Sequence, residues 1–447
     1  MAIDTIFALA SAPGRAGIAV IRVSGPKTAK ALIRLGVGQL SPRKATRAKF
    51  IDPVSGEAID DGLAIWFPAP HSFTGEDVAE LHIHGGRAVI DEMLIALSSV
   101  AGLRPAEAGE FTRRAFDNDK LDLTQAEALA DIVDAETRAQ RRQALTQMGG
   151  ALKERYEDWR HRLVQALAHL EAVIDFPDED LPMDVAEKLW SEVRDLQSDI
   201  SAHLSEATRG ERVRAGISIA ILGPPNAGKS SLLNALAKRD AAIVSSMPGT
   251  TRDVIEVHLD LGGYAVMLAD TAGLRAASDA IEDEGIRRAR KRADHADIKL
   301  IVFDGATYPA RDETTAALID KASIVVVNKA DLLDQQREYE IDTDDDWRTT
   351  HFISVKTGFG IDAMLARLEK QIKELSDGGA NAPPSRARHR HALSECVGAL
   401  TRAQTAKLPE LAAEDLRLAA RALGRLTGRI DVEDVLDAVF RDFCIGK

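Results

Sequence analysis

Hydrophobic residues change their spacing repeatedly along the chain. Over residues 1–118 they come in short runs, at 18–23, 63–67 and 78–83, with Pro13-Gly14, Gly25-Pro26 and Gly85-Gly86 as punctuation. Short apolar runs bounded by Gly and Pro read as strands, so this stretch predicts a compact α/β module with one or two helices. From 121 to 170 Gly and Pro vanish except at Gly149-Gly150, and apolar residues recur at helical spacing: Leu129, Ile132 and Val133, then Leu163, Leu167 and Leu170. Another helical stretch covers 185–203, and together these predict a bundle of long helices. From about Ala215, β-runs alternate with helical segments; the runs are 217–222, 265–269, 299–303 and 323–327. That alternation predicts a parallel sheet. Residues 376–384 read as a linker, and 392–443 are helical again. The expected fold class is multidomain α/β plus all-α. Its parts are an N-terminal α/β domain over 1–118, helical segments over 119–214 and 377–447, and a sheet domain over 215–376. The economical arrangement inserts the sheet domain into one helical domain; two independent helical domains are the alternative.

Composition narrows the class. With 447 residues, 45% hydrophobic and 28% charged, the chain is ordinary multidomain globular protein rather than a disordered or collagenous one. The formal net charge of −13 excludes a general nucleic-acid coat, which needs a positive field, but leaves room for a local RNA-binding patch. Two cysteines, Cys396 and Cys444, cannot build a disulfide framework, which points to a reduced, cytoplasmic setting. No apolar run reaches the roughly 18–20 residues that span a bilayer, so no membrane association is expected. The N-terminal apolar run fails as a leader because Asp4 stands where a cation belongs.

Gly223-Pro224-Pro225-Asn226-Ala227-Gly228-Lys229-Ser230 fits a phosphate-binding loop between a strand and a helix. Glycines let backbone N–H groups approach phosphate, and the helix N-terminus adds a positive dipole end. Lys229 is expected on the β- and γ-phosphates and the Ser230 hydroxyl on Mg²⁺. Asp270-Thr271-Ala272-Gly273 ends a later strand, where Asp270 can reach Mg²⁺ through water and Gly273 the γ-phosphate. In the intervening loop, Pro248-Gly249-Thr250-Thr251 offers a Thr to complete the metal shell.

Asn328-Lys329-Ala330-Asp331 supplies base selectivity. Guanine presents N1–H and N2–H₂ side by side, and the Asp331 carboxylate can accept both. Adenine would leave that carboxylate without partners, which disfavours ATP. The Lys329 stem is expected to cover the base, with Ser354-Val355-Lys356 supporting it by backbone N–H groups. Together these elements, in this order, predict a GTPase. Leu274 follows Gly273 where a water-orienting Gln stands in many GTPases, so hydrolysis needs another device. Glu282 can orient water through a second water; a solvated helix carboxylate is the alternative.

The strings 225–234 and Gly249-Thr250-Thr251-Arg252-Asp253, with Phe73-Thr74-Gly75-Glu76-Asp77, 118–123 and the tail Cys444-Ile445-Gly446-Lys447, resemble the tRNA modification GTPase MnmE (TrmE) family over the whole chain. The resemblance implies an N-terminal folate-binding-like domain that holds a homodimer, and a Ras-like G domain inserted in a helical one. It implies that two G domains pair across K⁺ during hydrolysis. It further implies an FAD-dependent MnmG-type partner protein, with which the wobble uridine of certain tRNAs is modified at C5 using a tetrahydrofolate derivative, the 5-formyl or methylene form. FAD enters only through that partner. Carried over by position, Asn226, Ser245, Met247 and Thr250 match the K⁺ contacts, Met247 and Ser245 by backbone carbonyl. Ser230 and Thr251 match the Mg²⁺ ligands. Ser231, Ser246 and Pro248 fall among the nucleotide contacts, although Pro248 departs from the family string. Glu282 matches the water-orienting Glu. Arg22, Glu80, Lys120 and Lys447 match the folate contacts.

Other features stay open. His82 and His84 share a strand face, but no third metal ligand declares itself. Arg386, His389 and His391 form either a basic spot for tRNA phosphate or a solvated linker, and Arg138, Arg141 and Arg142 pose the same choice on a helix. Cys444 is either a reactive thiol near the uridine or a small buried residue. A regulatory or ribosome-assembly GTPase remains the alternative function class, against which the N-terminal module discriminates.

Overall fold

A computed structural model describes residues 4–175, 183–239, 256–270, 293–333, 349–377 and 382–430, and beyond these Leu436, Val439, Phe440, Phe443 and Gly446. The chain forms two compact units: residues 1–130, 148–193 and 399–447, and residues 131–147 and 194–398.

The first unit opens with β1 (Thr5–Leu9), β2 (Ala16–Ser24), α1 (Thr28–Arg34), β3 (Thr46–Ile51), β4 (Ala58–Phe67), β5 (Val78–Gly85), α2 (Arg87–Ser98), β6 (Leu103–Pro105) and α3 (Glu110–Asp117). The strands make one sheet in the order β3-β4-β5-β2-β1-β6, antiparallel except where β1 runs parallel to β6. The sequence reading missed β1. Its run Thr-Ile-Phe-Ala-Leu lacks alternation because both faces are covered: Phe7 packs with Leu32 and Met93, and Ile6 and Ala8 with Phe111.

Helices follow: α4 (Leu123–Asp134), α5 (Arg138–Met148), α6 (Ala151–Asp175), α7 (Met183–Ser205) and α8 (Ala207–Ala215). Asp122 caps α4: its Oδ1 accepts from Gln125 N at 2.8 Å, and Gln125 Oε1 accepts from Asp122 N at 3.1 Å. That reciprocal pair satisfies two N–H groups that no helix carbonyl can reach.

The second unit holds β7 (Ile217–Leu222), α9 (Lys229–Arg239), β8 (Glu256–Leu261), β9 (Tyr264–Asp270), β10 (Ile298–Asp304), α10 (Glu313–Ala316), β11 (Ser323–Asn328), β12 (Thr350–Phe352) and α11 (Ile361–Ser376). Its sheet order is β12-β11-β10-β7-β9-β8, parallel except for the edge strand β8. Leu232, Leu233 and Leu236 of α9 and Met364, Leu368 and Ile372 of α11 cover one face; Phe303, Val325 and Val327 belong to the core on the other. β7 lies between β9 and β10, where the strand order reverses. Open α/β sheets bind ligands at the carboxyl ends of strands at such a point.

The chain continues with α12 (Ala387–Thr405) and α13 (Pro409–Thr427), and α13 is tied to α6 by Arg417 Nη2 on Glu171 Oε1 at 2.8 Å. Two expectations need correction. The described end of the expected linker is packed: Ala382 and Pro384 are buried, and Pro383 O accepts from Gln147 Nε2 at 3.1 Å. His389 is buried as well, because the phase of α12 turns it inward between Arg388 and Arg390. Arg386 donates to Asp131 Oδ1 at 2.7 Å, so a basic spot built on Arg386 and His389 is not formed. Among the described residues no helix is long and apolar enough to cross a membrane.

Candidate functional site

The loop after β7 is shaped by close backbone approach. Gly223 has φ +155°, and a Cβ there would lie 2.1 Å from the Val302 carbonyl oxygen. Gly228 has φ +92°, and its Cβ would lie 2.2 Å from Asn328 Nδ2. Asn226 adopts the left-handed region at φ 64° and is exposed. Ser230 and Ser231 are exposed in the first turn of α9, among N–H groups that lack helix partners. Lys229 is largely buried; its Nζ donates to the carbonyls of Gly223 at 2.9 Å and Pro224 at 2.8 Å. A lysine folded onto its own loop holds the curvature that a phosphate would fill.

The end of β11 meets this loop. Asn328 is buried; its Nδ2 donates to Ala227 O at 3.0 Å and its Oδ1 accepts from Val355 N at 3.3 Å. One side chain therefore joins the phosphate loop, β11 and the segment after β12. Lys329 turns out of the strand at φ 61°, and its Nζ meets Asp304 Oδ2 at 2.6 Å. Ala330 N donates to Ile353 O at 2.9 Å. Asp331 is solvent-facing and accepts from Ser354 Oγ at 2.7 Å, a bond that holds its carboxyl below the usual carboxylate range. Lys356 is exposed beside it and adds positive field. Asp270 ends β9 in register with Ile221 of β7, so that strand also delivers its carboxyl end beside the loop.

Asp304 was missed by the sequence reading. Its Asp-Gly at the end of β10 was the available signal: Gly305 N donates to Asn328 O at 2.7 Å and leaves no side chain between the two strand ends. Ser245, Ser246, Met247, Pro248, Gly249, Thr250, Thr251, Thr271, Ala272, Gly273, Glu282, Cys444 and Lys447 lie outside the described residues.

In the N-terminal sheet, Arg22 and Glu80 are register partners on β2 and β5. Arg22 Nη2 meets Glu80 Oε1 at 2.9 Å, and its guanidinium lies 5.3 Å from the Phe73 ring centroid and 5.8 Å from that of Phe111. The pair is largely withdrawn from water and lies between two aromatic rings. Lys120 is exposed, with its stem over Gly75. Gly446 is buried at φ +103°, where a Cβ would lie 2.1 Å from Leu9 O. Gly446 is thus seated on β1, whose Ala8 is the register partner of Arg22. His84 Nδ1 lies 2.9 Å from Asp60 Oδ1, and His82 Nε2 lies 3.7 Å from Glu80 Oε2. Burial pushes the Cys396 thiol up to about 12, which removes it as a nucleophile near neutral pH.

Comparison with known proteins bears on both regions. Residues 5–120 match the family model described as GTP-binding protein TrmE N-terminus, and residues 123–444 match that of the MnmE helical domain. The chain is 56% identical over 445 residues to the tRNA modification GTPase MnmE of Paramagnetospirillum magneticum, covering 99% of this chain and 100% of the relative. It is 54% identical over 461 residues to its counterpart in Rhodospirillum rubrum, with 100% of both covered. It is also 46% identical over 466 residues to the mitochondrial 5-taurinomethyluridine-[tRNA] synthase subunit GTPB3 of Danio rerio, covering 99% of this chain and 93% of that protein.

Proposed function

The chain belongs to the MnmE (TrmE) family of tRNA modification GTPases, and we propose that it uses GTP hydrolysis to drive modification of the wobble uridine of certain tRNAs at C5. The product would be of the carboxymethylaminomethyl or aminomethyl type. The observation that carries the nucleotide assignment is the convergence of Asn328 on Ala227 and of Ser354 on Asp331.

In this reading Lys229 leaves the Gly223 and Pro224 carbonyls for the β- and γ-phosphates. Ser230 and Thr251 would hold Mg²⁺, and Asp270 would be the carboxylate within reach of it. Asp331 accepts the two guanine N–H donors while Ser354 fixes its orientation. Asn226, with Ser245, Met247 and Thr250, would hold K⁺, which supplies positive charge between two G domains of a homodimer. Glu282 would orient the attacking water. The left-handed, exposed Asn226 suits a ligand presented outward from the loop.

The N-terminal part would act as a folate-binding-like dimerisation domain over 1–118, beside helical parts at 119–214 and 377–447 and the G domain at 215–376. Arg22, Lys120 and Lys447 offer cations for the carboxylates of a reduced folate, and Glu80 an acceptor for its 2-amino-pyrimidinone edge. The buried seat of Gly446 on β1 supports a tail built into this region, with Cys444 two residues before it. The folate would supply a one-carbon unit and the FAD-dependent partner the redox chemistry.

Reconstitution tests the proposal. The full chain, the FAD-dependent partner, unmodified tRNA, GTP and methylene-tetrahydrofolate are combined, with glycine or ammonium as amine source, and the wobble nucleoside is weighed by mass spectrometry. Modification that needs both this chain and hydrolysable GTP is expected. An unmodified uridine with every component present would overturn the reading.

A further inference from the structure

Helix α5 has two faces of opposite character. Its inward face carries Ala139, Gln140, Gln143, Ala144 and Gln147. The three glutamines donate to backbone carbonyls: Gln140 Nε2 to Arg214 O at 3.1 Å, Gln143 Nε2 to Gly210 O at 3.0 Å, and Gln147 Nε2 to Pro383 O at 3.1 Å. Ser385 Oγ closes the set by donating to Gln147 Oε1 at 3.1 Å. A helix with few apolar residues is thus fixed by side-chain amides, so its outward face is held in one orientation.

That outward face is basic. Arg138, Arg141 and Arg142 are all exposed and fall at i, i+3 and i+4, which stacks them on one stripe. No Asp or Glu occurs between Thr137 and Lys153, in a chain of net charge −13. Two acids near this end of the sheet are engaged: Asp260 Oδ1 accepts from Gly263 N at 2.8 Å, and Asp377 Oδ1 accepts from Tyr264 Oη at 2.7 Å; Glu369 is exposed on the Gly262 side of the turn. Asp131 takes Arg214 and Arg386, while Asp134 and Glu136 are exposed just before the helix. Beside the stripe lies the Gly262-Gly263 turn, which presents no side chain; a Cβ on Gly263 would stand 3.7 Å from that of Arg138.

We propose that the arginine stripe of α5 contacts the sugar–phosphate backbone of the tRNA, an inference that rests on the reading of this chain as a tRNA-modifying enzyme. An acidic chain repels a polyanion over most of its surface, so approach concentrates where a helix face carries arginines and no acid of its own. Guanidinium groups match phosphate oxygens in bidentate geometry, and folded RNA is recognised largely through phosphates and 2′-hydroxyls. The side-chain-free turn leaves room for a strand to lie along the stripe. Arg142 also interacts with the Tyr264 hydroxyl, so Arg138 and Arg141 are the residues to test.

The test is fluorescence anisotropy of a labelled, unmodified tRNA transcript titrated with the full chain across a KCl series, without nucleotide. Arg138→Gln/Arg141→Gln is expected to bind about 10- to 100-fold more weakly, each charge-assisted contact at this exposed face being worth roughly three- to tenfold once solvent screening is allowed for. The slope of log K against log salt should flatten by about 1.4–1.8, at about 0.7–0.9 per lost phosphate contact. Arg138→Lys/Arg141→Lys should retain the wild-type slope, and all three proteins should turn over GTP equally without tRNA. Wild-type affinity and slope in the glutamine pair would overturn this proposal alone. Failure of the wild type to bind tRNA would overturn it together with the functional reading.

Discussion

The side-chain amide of Asn328 donates to the carbonyl of Ala227 at 3.0 Å, so one buried hydrogen bond joins the end of β11 to the phosphate loop. The same side chain accepts from Val355 N. Base and phosphate recognition are therefore set by a shared group. Asn328→Ala should destabilise the protein by about 1–3 kcal/mol, because it strips partners from buried polar groups. Urea unfolding with and without GDP measures this. The variant should also lose most of the stabilisation that GDP gives the wild type, and an unchanged midpoint in both conditions would contradict the role assigned to Asn328.

Base choice follows from Asp331. Asp331→Asn turns an acceptor into a part donor that suits a carbonyl at purine C2. GTP affinity should fall by about a hundredfold, the scale for a charged acceptor lost from a donor pair. Xanthosine triphosphate should become the preferred nucleotide. Competition against a fluorescent GDP analogue reads both changes, and equal weakening of the two nucleotides would refute base recognition by this carboxylate.

Acid tolerance carries a definite sign. The Ser354 hydroxyl lowers the Asp331 pKa in the folded protein. A depressed folded value means the contribution is present above the unfolded pKa and is lost as pH falls through the folded one. Guanine-over-adenine preference should therefore hold from about pH 7 to about pH 5, above the ordinary aspartate range. It should fail only under stronger acid. Ser354→Ala should move that loss to higher pH, which a series of GDP and ADP affinities would record.

Much of this was legible in the sequence where one element carries its own signal. The runs that became β7, β10 and β11 were readable because strands covered on both faces are continuously apolar, and β9 was readable from its own apolar run. The edge strand β8, Glu-Val-His-Leu-Asp-Leu, was passed over because half of it is polar. Contacts between distant segments were not legible. Nothing local says that Asn328 reaches Ala227, that Lys329 meets Asp304, or that Gly446 rests on Leu9. The Arg-His-Arg-His string looked uniformly solvated from its composition, yet helical phase buries His389. On α5 the arginines were noticed but the glutamines were not, since only tertiary structure supplies the carbonyls they bond.

At φ +103° with Leu9 O behind it, Gly446→Ala meets both backbone strain and a clash. The variant should displace the last residues and weaken 5-formyltetrahydrofolate binding by about tenfold or more, the scale of one lost charge-assisted contact from Lys447. Glu80→Ala should weaken it as well, while GTP affinity stays unchanged in both. Isothermal titration decides the matter, and wild-type folate affinity in both variants would remove Glu80 and the tail from the site.

The central claim is that GTP hydrolysis by this chain drives modification of a tRNA wobble uridine. The direct measurement is nucleoside analysis, by mass spectrometry, of tRNA from cells whose only copy carries Lys229→Ala. The account predicts tRNAs with the C5 substituent missing and uridine or its unsubstituted derivatives in its place, with recovery on restoring the wild-type chain. A wild-type nucleoside profile in the Lys229→Ala cells would contradict it.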